Sequence, residues 1–155
     1  MDIFDEIKSE HDQFRNWVEK IVETTDRAVK TREENFRKLY IKLTAHHNSE
    51  EEVLNPLLRE NEETKEFAIE IDEEHQVIDN LMEELKDLPV TAENWLVKFE
   101  VMNHTLDHHL EDEEEEITEK ARQVFDKERL ENLVDDFEAE MDKRIKKLEE
   151  EYTKA

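Results

Sequence analysis

The chain has 155 residues and a formal net charge of −24, from 46 acidic and 22 basic residues. This excess of negative charge excludes nucleic acid and anionic membrane surfaces as default partners. The chain contains neither Cys nor Gly, which excludes disulfides, thiolate metal sites, cysteine nucleophiles and Gly-rich phosphate loops. Leu, Ile, Val and Phe together number 40, enough for a folded core. We predict a soluble, cytoplasmic, single-domain protein.

Five amphipathic segments carry apolar residues at three- and four-residue steps, which is typical of helices. The predicted helices cover about residues 3–24, 33–60, 65–87, 91–117 and 127–152. Pro56 should kink the second helix or end it early, because proline lacks the backbone N–H that a helix interior needs. Thr91 and Asp126 are predicted N-caps of the fourth and fifth helices.

Long helices joined by short connections favour antiparallel neighbours. We therefore predict an all-α fold, an antiparallel up-down-up-down four-helix bundle with an additional C-terminal helix. The single domain would span residues 1–155, with the bundle in about residues 3–120. The apolar stripe from Leu130 to Leu148 is predicted to pack against the bundle, with a dimer contact as the alternative.

The histidines can be sorted by the helical repeat of roughly 100° per residue. In the fourth segment, His109 lies at the edge of the apolar face and Glu113 lies inside it. His104 and His108 lie on the opposite side of the helix. His109 precedes Glu113 by four residues, so their side chains meet on one face of the helix. The spacing therefore predicts an inward pair of a histidine and a carboxylate.

The second segment repeats this pattern, with His46 four residues before Glu50. His47 also falls near the apolar face, so geometry alone leaves the choice between His46 and His47 open. Residues 46–54 match residues 109–117 closely enough to indicate a degenerate internal repeat.

The first and third segments add one inward histidine each, His11 and His75, both on apolar stripes. A buried Glu is rare unless it is paired or bound to a metal. Imidazoles from four helices that meet two carboxylates in a core suit a pair of first-row transition-metal ions.

These residues resemble a known family. The resemblance rests on His11, on the run from His46 to Pro56, on Glu74-His75 and on residues 109–114, and it covers about residues 3–120. The chain is similar to the hemerythrin-like HHE cation-binding domain, which implies an antiparallel four-helix bundle with a non-haem di-iron centre, oxo- or hydroxo-bridged. The resemblance implies the metal ligands His11, His46, Glu50, His75, His109 and Glu113. It selects His46 over His47 and implies that both Glu residues bridge the irons.

One position departs from the oxygen-carrying hemerythrins, which have a second His four residues after the third-helix ligand. Asp79 occupies that position here. In the oxygen carriers the fourth-helix carboxylate also lies one residue further from its His. The set of four His and two Glu is closer to the repair-of-iron-centres proteins and to the iron-sensing hemerythrin domain of a ubiquitin-ligase subunit. We expect Asp79 to be a surface carboxylate or a hydrogen-bond partner of a ligand His, and His47, His104 and His108 to be exposed or to support the ligands.

The resemblance implies a protein that binds or senses dioxygen, nitric oxide or iron, with a small diatomic molecule as partner. Two alternatives stay open. One is a di-iron redox enzyme of the oxidase, peroxidase, nitric oxide reductase or iron-centre repair type, and the other is a bundle in which a metal such as Zn is structural. The sequence identifies no catalytic residue and no organic cofactor site. We expect a monomer or homodimer with no nucleic-acid or membrane partner.

Overall fold

Helices make up most of the chain in the computed structural model, which describes residues 1–154 and has no strand among them. The α-helices are α1 (Ile3–Val22), α2 (Val29–Ser49), α3 (Asn55–Leu58), α4 (Lys65–Asp87), α5 (Trp95–Asp112), α6 (Thr118–Val124) and α7 (Lys127–Lys154). Two π-helical turns, Glu50–Leu54 and Glu113–Ile117, join α2 to α3 and α5 to α6. Five long helical rods result. Within residues 1–154, none of them has the length and apolar character needed to cross a bilayer.

The helix starts follow local hydrogen bonding. A capping box opens α1, in which Asp2 accepts from the Asp5 backbone N–H at 3.1 Å and Asp5 accepts from the Asp2 N–H at 2.9 Å. The second helix begins at Val29, earlier than the predicted residue 33, without a side-chain cap. Asp126 accepts the first backbone bond of α7 from Leu130 at 3.2 Å, in agreement with its predicted cap position.

The predicted cap at Thr91 is wrong, because α5 begins at Trp95 with Asn94 at its N-cap. The residues before Trp95 form successive turns. The Ala92 N–H donates to the Pro89 carbonyl at 2.9 Å, and the Trp95 N–H donates to the Ala92 carbonyl at 3.0 Å. These turns occupy the segment in which a cap at Thr91 would have started a helix.

The second rod departs from a regular α-helix before it reaches Pro56, the residue that the sequence predicts will kink it or end it early. The regular α-helix stops at Ser49, before the proline, and the π turn Glu50–Leu54 follows it. Pro56 then lies in the first turn of α3, where a missing N–H costs little. The second π turn, Glu113–Ile117, lies at the position in the internal repeat that corresponds to Glu50–Leu54.

Both π turns begin at a glutamate, Glu50 or Glu113. Turns of this kind are frequent at functional sites.

Two apolar clusters form the core, and the buried histidines lie between them. On α1, Ile7 belongs to one cluster and Phe14 to the other, with His11 between them. On α4, Ile71 and Ile78 flank His75 in the same way. The rods therefore place a polar layer between two dry ends of the bundle.

The C-terminal helix α7 packs against the bundle, as predicted. Leu130, Phe137 and Met141 are buried in the same cluster as Ile7. The Phe137 ring meets the His46 ring edge-on, with 5.8 Å between ring centroids. The helix therefore covers one side of the polar layer.

Candidate metal centre

The six residues predicted to bind metal are all buried, and the fold brings them together: His11, His46, Glu50, His75, His109 and Glu113. Their donor atoms form two groups, each with all four atoms within 4.8 Å of one another. The first group is His11, His46, Glu50 and Glu113. The second group is Glu50, His75, His109 and Glu113. The two groups share both carboxylates and differ in their histidines.

Each shared carboxylate lies between one histidine of each group. One oxygen of Glu50 is 3.4 Å from Nε2 of His46 and 3.2 Å from Nε2 of His75. Glu113 uses both of its oxygens, with Oε1 at 3.2 Å from Nε2 of His11 and Oε2 at 3.4 Å from Nε2 of His109. This arrangement could hold two cations side by side, with each carboxylate reaching both.

The inward-facing donor atoms have no hydrogen-bond partner among the described residues. They include Nε2 of each buried imidazole and both carboxylate oxygens of Glu50 and of Glu113. A buried polar atom left unpaired costs about 1–3 kcal/mol, and more if it is charged. Such a concentration of unpaired donors in a dry layer is the pattern expected of a cation site, since ligation would satisfy every one of them.

The outward nitrogen of each buried imidazole meets an outer carboxylate. The Nδ1 contacts are His46 to Glu10 at 2.6 Å, His47 to Asp79 and His109 to Glu74 at 2.7 Å, His11 to Glu114 at 2.8 Å, and His75 to Glu51 at 3.2 Å. An ionised carboxylate only accepts hydrogen bonds, so these contacts favour a proton on Nδ1 and a free lone pair on Nε2. The outer carboxylates thereby orient the imidazoles for ligation.

The electrostatics of the layer also favour cations. Burial and the neighbouring Glu113 raise the pKa of Glu50 well above its usual range. Burial by itself would raise the pKa of Glu113, but contacts with Glu50 and His11 bring it well below its usual range. Burial therefore disfavours two ionised carboxylates side by side in the metal-free layer. Burial lowers the pKa of His46 well below its usual value, which leaves a neutral imidazole that can bind metal.

Glu10 should make the metal-free protein less stable as the pH rises. Burial raises its pKa from 4.5 to about 7. A carboxyl group with a raised pKa costs no stability below its unfolded pKa, and the cost grows until the pH passes the folded pKa. We expect Glu10→Gln to stabilise the chelator-treated protein by about 3 kcal/mol at pH 8 and by only about 1 kcal/mol at pH 5.

Urea unfolding at the two pH values measures this effect, and Glu6→Gln is the control. Glu6 lies one helical turn before Glu10 but is half-buried, and its pKa is raised mainly by partial burial. It should show a much smaller dependence on pH. Equal stabilisation by Glu10→Gln at both pH values would show that the Glu10 carboxyl is not the source of the pH dependence.

The sequence interpretation predicts that His47 is exposed or supports a ligand. The first alternative is wrong, because its side chain is 0% exposed and its Nε2 faces the layer without a partner. Asp79 is a hydrogen-bond partner of a histidine, as expected, but that histidine is His47. His104 and His108 are exposed, in agreement with their predicted face.

A third group of donors lies at the surface beside the centre and consists of Glu74, His108 and Asp112. The His108 side chain is 68% exposed, and its Nε2 pairs with Asp112 at 3.1 Å. Glu74 also holds Nδ1 of His109. The outer group therefore lies partly in solvent and each member has a paired atom, in contrast to the buried and unpaired donors of the layer.

Comparison with known proteins agrees with the geometry of the buried layer. The family model of the hemerythrin HHE cation-binding domain matches residues 2–121, which include every residue of the buried donor groups. No curated protein and no solved structure matches the chain. The match covers most of the sequence, and the chain belongs to the family of hemerythrin HHE cation-binding domains.

Proposed function

We propose that this protein holds a pair of iron ions and uses them to bind or sense dioxygen, nitric oxide or iron itself. The observation that carries the proposal is the position of Glu50 and Glu113, each between histidines of two different donor groups. A carboxylate that reaches two cations is a common way to hold a metal pair in a helical bundle. His11 and His46 would complete one iron site, and His75 and His109 would complete the other.

The donor set supports iron over a tetrahedral ion. Each group offers two imidazoles and two shared carboxylates, which suits the mixed nitrogen and oxygen ligation of iron. Zn²⁺ prefers four ligands in a closed structural site, so four protein donors would leave it no open position. An octahedral iron would keep positions free. The outer carboxylates, such as Glu10 and Glu74, add negative charge that favours a highly charged ion.

When bound, the iron pair would supply reversible electron transfer and an open coordination position for a diatomic molecule. The chain's own residues would keep that position dry. Phe14, Leu43, Ile78 and Leu106 are all 0% exposed and belong to the apolar cluster on one side of the layer. Such a lining excludes water, which slows unwanted oxidation and raises the strength of electrostatic contacts in the site.

The contacts between α4 and α5 support the up-down-up-down bundle that we propose for the fold. Trp95 at the start of α5 donates to the Leu85 carbonyl near the end of α4, at 3.1 Å. His109 near the end of α5 reaches Glu74 in the middle of α4. The start of α5 lies beside the end of α4, and the end of α5 lies beside an earlier part of α4, as expected of two antiparallel helices.

Loading of the metal-free protein with Fe²⁺ under argon, followed by exposure to air, tests the proposal. We expect about two irons per chain and a near-ultraviolet charge-transfer band that grows on oxidation. One iron per chain, or no band, would contradict a di-iron centre. Tight uptake of Zn²⁺ with no uptake of iron would assign a structural role instead. Stopped-flow mixing with nitric oxide then separates a stable adduct, expected of a sensor, from the turnover expected of an enzyme.

A further inference from the structure

His47 has the same features as the four predicted histidine ligands. Its side chain is 0% exposed, and its Nε2 is buried without a hydrogen-bond partner. A histidine that merely fills a core normally satisfies both ring nitrogens. The free Nε2 of His47 therefore calls for a partner that the protein itself does not supply.

Asp79 fixes the orientation of His47. Its Oδ1 lies 2.7 Å from Nδ1 of His47, and its side chain is 34% exposed, so it lies at the boundary between the layer and solvent. The carboxylate on α4 accepts the Nδ1 proton and turns Nε2 inward. A carboxylate on α4 therefore orients a histidine on α2.

The imidazole of His47 lies against the second donor group. It stacks on the His75 ring with 3.8 Å between centroids and meets the His109 ring edge-on at 5.9 Å. Donor atoms of His47, His75 and His109 all lie within 4.8 Å of one another. By contrast, the neighbouring His46 faces Glu10 on α1 and belongs to the first group.

We propose that His47 is a fifth imidazole ligand, which together with His75 and His109 binds the second of the two cations. This inference rests on the metal centre proposed above. It makes the pair unequal, because the second cation receives three imidazoles and the first receives two.

Proton NMR of the Co²⁺-loaded protein tests the proposal. Co²⁺ is paramagnetic and accepts six ligands, so the exchangeable Nδ1 proton of each bound imidazole moves far outside the normal spectrum. The outer carboxylates hold these protons and slow their exchange with water. We expect five such signals in the unaltered chain. His47→Gln should remove one of them, and the exposed His104→Gln, as control, should remove none.

The outcomes separate this inference from the function on which it rests. Four shifted signals that persist in His47→Gln would overturn the role of His47 and leave the metal pair intact. No shifted signal and no Co²⁺ uptake would overturn both. The count in the unaltered chain decides the question even if His47→Gln fails to fold. Asp79→Ala provides a second check, because loss of its carboxylate should broaden the His47 signal alone through exchange with water.

Discussion

Glu113→Gln should abolish the uptake of both cations, whereas His11→Ala should abolish the uptake of only one. Glu113 belongs to both donor groups and His11 belongs to the first group alone. An amide is neutral and a weaker ligand than a carboxylate, so the loss should exceed the roughly 10–100-fold drop in affinity typical of supporting residues. Elemental analysis after loading and gel filtration measures the result. We expect about two metals per unaltered chain, about one for His11→Ala and almost none for Glu113→Gln.

Glu115→Gln is the matched control for Glu113→Gln. Both residues lie in the π turn Glu113–Ile117 and the change in charge is the same, but Glu115 is exposed. It should retain both cations. If Glu113→Gln kept one metal as tightly as the unaltered chain, Glu113 would serve a single cation and the shared arrangement would be wrong.

Removal of the metals should lower the melting temperature by about 10–20 °C. A ligand present at 100 times its Kd stabilises the folded state by about 2.7 kcal/mol per site. Two sites therefore contribute about 5 kcal/mol, and each kcal/mol shifts the melting temperature of a chain of this size by about 2–4 °C. Thermal unfolding followed by circular dichroism, with and without a chelator, measures the shift.

The Glu50→Gln/Glu113→Gln double variant shows whether the shift comes from this site. It lacks the two buried carboxylates, which lower the stability of the metal-free protein. Their mutual effect is visible at Glu50, whose pKa is raised by burial and by the neighbouring Glu113. The chelator should leave its melting temperature unchanged, and the variant should melt above the metal-free parent at pH 8. A similar drop on chelation in parent and variant would place the stabilising cation elsewhere.

The helical repeat predicts most of the site because the inward residues follow the apolar stripes. His11 and His75 share faces with core residues, and His109 precedes Glu113 by one turn. The helical repeat does not decide between His46 and His47, because adjacent residues lie about 100° apart and the apolar face is at least that wide. Both are buried in the structure because α2 lies between two partners. His46 faces Glu10 on α1, and His47 faces Asp79 on α4.

Other features leave no distinct mark on the sequence. The outer carboxylates are five of 46 acidic residues, and only the packing of the rods determines which of them reach a histidine. The π turns were also not predicted. A π turn contains one residue more than an α-helical turn. Leu54, Leu57 and Leu58 are all buried, so the apolar pattern continues across Glu50–Leu54 and gives no sign of this insertion. The start of α2 at Val29 could not be predicted from a capping residue, because no side chain caps the helix there.

Anomalous X-ray diffraction from iron-loaded crystals at the iron absorption edge is the most direct test of the central claim, that the buried layer between the two apolar clusters holds a metal pair. We predict two peaks between Glu50 and Glu113, one beside His11 and His46 and the other beside His75 and His109. Peaks confined to the outer group of Glu74, His108 and Asp112, or an interior without any peak, would contradict it.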